Sequence, residues 1–196
     1  MAQQTASASK FRRATGKQPG YRVRQVNRFF TALADDYELL LSGNEYSPVA
    51  HTSRTIREAA FEPEAGGYLP EDVDRALDAV EDRFAEAERR LYIQRYGDAV
   101  WQEAVKELRT LLLGRLERPS GERFRRPGHR LTKGYLAKDV DQLCDRLQVA
   151  ITQGSTVLPG ELRRVVFRSA IGRGSYDETQ VDAFMNRAIE YLTDTL

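Results

Sequence analysis

Four times the chain writes a Gly-Tyr step, four further residues, a Val, and then Asn or Asp. The copies are Gly20-Tyr21 to Val26-Asn27, Gly67-Tyr68 to Val73-Asp74, and Gly134-Tyr135 to Val140-Asp141. The fourth runs from Ser175-Tyr176 to Val181-Asp182 and carries its Gly one place earlier, at Gly174. Such a repeat constrains the fold more than composition does, because one copy is too small to bury its own apolar face. From each Val an apolar stripe continues at helical spacing: Val26, Phe29, Leu33, Tyr37; Val73, Leu77, Val80, Phe84; Val140, Leu143, Leu147, Ile151; Val181, Phe184, Ala188, Leu192. These steps mark one buried helix face per copy. The Gly supplies backbone freedom ahead of the helix, and the Tyr an apolar ring with a polar tip. Asn27, Asp74, Asp141 and Asp182 fall near the positive end of their helices, where they can also accept hydrogen bonds from the preceding loop. The motif reads as structural, with direct ligand binding as the alternative.

The copies alternate. Phe11-Arg12-Arg13 and Phe124-Arg125-Arg126 open the first and third; Ile56 to Phe61 and Leu162 to Phe167 open the second and fourth. The expected fold is all-α: a helical bundle built from four loop-helix repeats arranged as two pairs, with a connecting helix and no sheet. The polar residues 1–10 are expected to be disordered. Residues 11–96 form the first repeat pair, 97–119 the connecting helix packing across both halves, and 120–196 the second pair. Helices are predicted over 23–41, 56–61, 71–95, 138–152 and 177–195, besides the one bearing Trp101. Pro70 suits a first helical position and Gly43 a left-handed cap. The triplets Leu39-Leu40-Leu41 and Leu111-Leu112-Leu113 predict burial on several sides.

With 30 basic and 29 acidic residues the net charge is +1, so any attraction to nucleic acid or anionic lipid must be local. The local candidates are basic loops: Arg12, Arg13 and Lys17; Arg125, Arg126, Arg130 and Lys133; and Arg163, Arg164, Arg168 and Arg173. They are read as contacts to an anionic surface, or as solvated loop ends paired with nearby acids. The second copy departs from them with Glu62 and Glu64. His51 and His129 are expected to be solvated loop residues with no metal-ligand cluster beside them. Gly172-Arg173-Gly174-Ser175 lacks the Lys-Ser/Thr of a phosphate loop and reads as a flexible turn. Cys144 reads as a small core residue in a reducing compartment. No catalytic constellation, cofactor site or metal site is found, so no enzyme is expected. No apolar run approaches the roughly 18 residues of a spanning helix, and no apolar signal region opens the chain. A cytoplasmic protein is expected.

The succession of Phe, short basic loop, Gly-Tyr, four residues, Val-Asp and apolar stripe resembles the DivIVA domain. Four copies on a short chain resemble the bacterial DivIVA-domain repeat proteins, from Phe11 onward except around Tyr92 to Glu117. The resemblance implies a scaffold or adaptor of cell division or envelope growth, working through protein-protein interaction and peripheral to the inner face of the membrane. Its partners would be other proteins, a second copy of itself included, with at most a weak anionic membrane contact. The family places a membrane-touching Phe-Arg pair just before Gly-Tyr. Here those positions hold Gln18-Pro19, Ala65-Gly66, Thr132-Lys133 and Arg173-Gly174, none of them an apolar wedge. No heptad pattern leads into the family's long coiled coil. The alternative reading is a nucleic-acid-binding helical protein using its basic loops. It conflicts with charge that lies in loops rather than along a helix face, and nucleic acid is not an expected partner.

Overall fold

A computed structural model describes residues 11–16, 18–43, 49–129, 131–154 and 157–195. The disorder expected for 1–10 lies outside the described residues, as do Lys17 and Arg130. Helix, a short 3-10 turn included, occupies 65 % of the described residues, with seven α-helices among them and small sheets between. The chain divides into two compact units, Met1–Leu91 and Tyr92–Leu196.

In the first unit, β1 (Pro19–Tyr21) leads into α1 (Val23–Ser42), followed by α2 (Ser53–Arg57), β2 (Pro63–Ala65) and α3 (Pro70–Tyr96), which runs on past the boundary. α1 stops at Gly43, whose φ of +63° is a conformation that disfavours a side chain. Pro70 opens α3, with Glu71 and Asp72 complementing the helix dipole. Val26, Leu33 and Leu40 from α1 meet Ile56, Tyr68, Val73, Leu77, Phe84 and Ala87 in one core. Each such large side chain removed from water contributes about 1.5–3 kcal/mol.

The second unit holds α4 (Asp98–Leu116), β3 (Lys133–Leu136), α5 (Ala137–Gln153), α6 (Pro159–Arg163), β4 (Ser169–Ile171), a short 3-10 turn, β5 (Ser175–Tyr176) and α7 (Glu178–Thr195). Leu112 and Leu116 of α4 join a core with Val140, Cys144 and Leu147 of α5 and Val181, Ala188 and Ile189 of α7. The helix read as a connector is thus a component of this unit's core.

Several expectations need correction. Sheets do form: β1 pairs with β2, and β4-β3-β5 make a three-stranded antiparallel sheet. The Gly-Tyr steps read as loops are extended, and they hydrogen-bond to one another. Gly permits this, since a Cβ on Gly20 would stand 2.5 Å from the Tyr68 carbonyl oxygen, and one on Gly134 would overlap that of Tyr176. The helix expected over 56–61 is α2, which begins at Ser53, ends at Arg57 and leaves Phe61 outside it. The leucine triplets are split: Leu40 and Leu112 are buried, whereas Leu39, Leu41 and Leu111 are exposed. Three successive residues span most of a helical turn, so one contact face buries only one of them. His51 is not a solvated loop residue. Its backbone N–H donates to Asp36 Oδ2 at 2.9 Å, its Nδ1 lies 2.6 Å from the same oxygen, and its ring packs edge-on against Phe29.

Candidate functional site

The motif residues converge at four junctions built to one plan. Each copy's Phe packs against the Tyr of the other copy in its unit: Phe11 on Tyr68, Phe61 on Tyr21, Phe124 on Tyr176 and Phe167 on Tyr135, with ring centroids 5.1 to 5.3 Å apart. The carbonyl after that Phe accepts from the N–H after that Tyr, as Arg12 from Leu69, Glu62 from Arg22, Arg125 from Asp177 and Arg168 from Leu136, at 2.7 to 2.9 Å. The two Tyr backbones meet directly. Tyr21 and Tyr68 exchange N–H···O bonds of 2.8 and 2.9 Å, and Tyr135 stands opposite Tyr176 in the β3–β5 pair.

The polar tips complete the exchange. Tyr68 Oη donates to Asn27 at 3.1 Å, Tyr21 Oη to Asp74 at 3.5 Å and Tyr176 Oη to Asp141 at 3.0 Å. Tyr135 hydrogen-bonds to Asp182 in the same sense. Each Asn or Asp therefore accepts from the other copy's Tyr, and Asp141 accepts as well from the Gly121 N–H in the loop before its own helix, at 2.8 Å. Burial, together with Asp182 for Tyr135 and Asp141 for Tyr176, pushes both phenols up to about 12. Burial likewise raises the carboxyls of Asp74 and Asp182 above their ordinary range.

The residue ahead of each Val adds one further contact. Asp72 accepts from the Arg12 backbone at 3.1 Å and from its guanidinium at 2.9 and 2.6 Å. Asp139 takes the same three bonds from Arg168, at 3.2, 2.9 and 2.6 Å. These guanidiniums hold both carboxyls below the usual range, Asp72 at about 2. At the other two junctions the residue is Gln. Gln25 accepts from the Glu62 N–H and Gln180 from the Arg125 N–H, at 2.8 and 2.9 Å. The spacing from Tyr to Val was visible in the sequence, but the partner of each Phe was not, because the distance from Phe to Tyr differs in every copy.

Most of the basic loop is engaged within this framework. Arg13 donates to the Gly66 carbonyl at 3.0 Å and covers the Tyr68 ring at 4.9 Å. Arg126 does the same with the Ser175 carbonyl and the Tyr176 ring, at 3.0 and 5.0 Å. Arg12 is tied to Asp72, as above. Lys133 is exposed on β3 opposite Ile171 of β4. Here the sequence reading missed a feature. Leu131 is 85 % exposed just ahead of Lys133, and Ile171 is 56 % exposed beside it. They are apolar side chains ahead of the third and fourth Gly/Ser-Tyr steps, Leu131 before β3 and Ile171 at the end of β4, although not at the two positions just before Gly-Tyr.

Two buried charge clusters also went unread. Arg57 pairs with Glu81 at 2.6 Å beneath α2. Arg123, 4 % exposed, bonds the carbonyls of Leu116, Arg118 and Asp141, pairs with Asp145 at 2.6 Å, and lies 3.6 Å from the Asp141 carboxylate. Cys144 is buried beside it, and burial pushes its thiol up to about 12. Ser175 is buried and donates to the Gly172 carbonyl at 2.9 Å, so the Gly172–Gly174 turn is fixed by its own chain. Among the described residues no group of His, Cys, Asp and Glu could hold a metal ion, and no helix is long and apolar enough to cross a membrane. Comparison of the chain with family models, curated proteins and solved structures returns no match.

Proposed function

We propose that this chain is a non-enzymatic scaffold or adaptor of bacterial envelope growth or division, a DivIVA-like protein with four motif copies arranged as two pairs. The observation that supports it is the fourfold junction. The conspicuous polar groups of the motif, the Tyr hydroxyls and the Asn or Asp side chains, are satisfied by the other copy in the unit. The motif therefore builds a rigid frame, and contacts with other proteins fall to its exposed helix faces. A second copy of the chain is one such partner.

Membrane association is weak in this reading, at the cytoplasmic face. Leu131 and Ile171 offer two exposed apolar side chains, and Lys133 a charge worth about 1 kcal/mol at an anionic surface. Stable anchoring needs a larger apolar contribution together with several charges. The nucleic-acid alternative draws less support, because Arg12, Arg13, Arg126 and Arg168 are bonded inside the junctions. A fluorescent fusion in growing bacterial cells is expected to collect at poles or septa; uniform fluorescence would count against the adaptor reading. Co-sedimentation with anionic liposomes at physiological salt should be slight, and lost in Leu131→Ser with Lys133→Glu. Tight binding that resists high salt would overturn the view that protein contacts carry the function.

A further inference from the structure

We propose that the residue after each Phe and the residue before each Val form a charge code that keeps copy two from closing on itself. This rests on the paired-repeat reading above and extends it to specificity. The frame of the junction is common to all copies: the Phe on Tyr, the backbone exchange and the Tyr hydroxyl on Asn or Asp. Backbone and ring contacts of this kind would let any copy close on any other, including a copy in a second chain. The variable contact is the one between these two positions. In the first unit the Arg12 guanidinium meets Asp72, while Glu62 meets Gln25 through its backbone N–H; in the second the Arg168 guanidinium meets Asp139, while Arg125 meets Gln180 through its backbone N–H.

Each unit thus has one ion pair and one neutral contact, and neither has like charges face to face. Copy one with copy three, or copy two with copy four, would match the native pairs in charge, so what the code excludes involves copy two. Copy two closing on itself would set Glu62 against Asp72 twice, and copy two closing on copy three would set Glu62 against Asp139 while Arg125 met Asp72. Like charges placed together at a half-buried contact oppose closure, and discrimination of this sort works by repulsion as much as by attraction. The aspartates have the setting for it, with side chains only 13 and 17 % exposed, each holding three hydrogen bonds from one arginine.

The code predicts opposite outcomes for one substitution at two equivalent places. Gln25 and Gln180 both lie in the first turn of their helices, so an Asp at either gains equally from the helix dipole. Gln180→Asp would face Arg125 and complete an ion pair. Gln25→Asp would face Glu62, with the neighbouring Arg22 of the Arg22–Glu62 pair offsetting part of the repulsion. Thermal unfolding of the full-length chain should show Gln180→Asp rising by about 2 °C and Gln25→Asp falling by a similar amount. The Gln180→Asp gain should vanish with Arg125→Gln, and the Gln25→Asp loss with Glu62→Gln. Equal shifts of the same sign at both positions, or shifts insensitive to Arg125 and Glu62, would overturn the code. The paired-repeat reading fails by a different result, in which Val26→Asp and Val181→Asp leave the protein as stable as the parent.

Discussion

At the residue scale, the junctions differ in how they satisfy a buried phenol. Tyr68 and Tyr176 are the buried pair, 3 and 0 % exposed. Tyr68 donates to the neutral amide of Asn27, whereas Tyr176 donates to Asp141, a buried carboxylate that also accepts from the Gly121 N–H at 2.8 Å. A buried carboxylate is tolerated when a countercharge and further donors surround it. Arg123 supplies the countercharge, 3.6 Å away, and Tyr176 and Gly121 the donors. Arg123→Ala should therefore cost about 3 kcal/mol in urea unfolding, by stranding Asp141. Adding Asp141→Asn should restore part of that loss; no recovery would mean that Arg123 acts only through its carbonyl contacts. The phenols predict an alkaline limit as well. Tyr135 and Tyr176 sit at about 12 in the folded chain against an ordinary 10.0. Their raised values add stability that is fully present below pH 10 and lost as pH rises through about 12, because the unfolded chain releases those protons first. Tyr176→Phe should lessen the alkaline loss and remove a late component from the tyrosinate absorbance titration.

At the level of elements, the helices were legible and the strands were not, for a physical reason. A buried helix face repeats every three or four residues, so the stripes from Val26, Val73, Val140 and Val181 are written locally. The strands are two to four residues long and carry no alternation. They exist because each Gly-Tyr step meets distant chain, the other Tyr step and the segment that precedes it, which no window of sequence displays. The Phe partners were hidden for the same reason, as were Arg123 and Asp141, whose contacts join distant segments. The glycines divide accordingly. Gly20→Ala should destabilise by about 1–3 kcal/mol, since the new Cβ would press on the Tyr68 carbonyl. Gly114→Ala should stabilise by about 0.5–1 kcal/mol, because it lies inside α4 with nothing within 4 Å of the added carbon. Chemical denaturation of the two variants beside the parent checks both signs at once.

For the whole molecule, the question is which helices share a core. Val26 and Val73 lie in one buried cluster, Val140 and Val181 in another, each valine at 0 or 1 % exposure. A charge forced into such a site without a partner costs about 4 kcal/mol, enough to unfold a unit of marginal stability. The lost protection should trace the cluster that held the valine. In Val73→Asp, amide hydrogen exchange should quicken along α1 and the start of α3, and through the β1–β2 pair. In Val181→Asp it should quicken along α5 and α7, through the β3 sheet, and also in the C-terminal half of α4, where Leu112 and Leu116 enter the core. The α4 amides decide the point. A connecting helix outside both cores would keep its protection in Val181→Asp, whereas a helix belonging to the second core loses it together with α5 and α7.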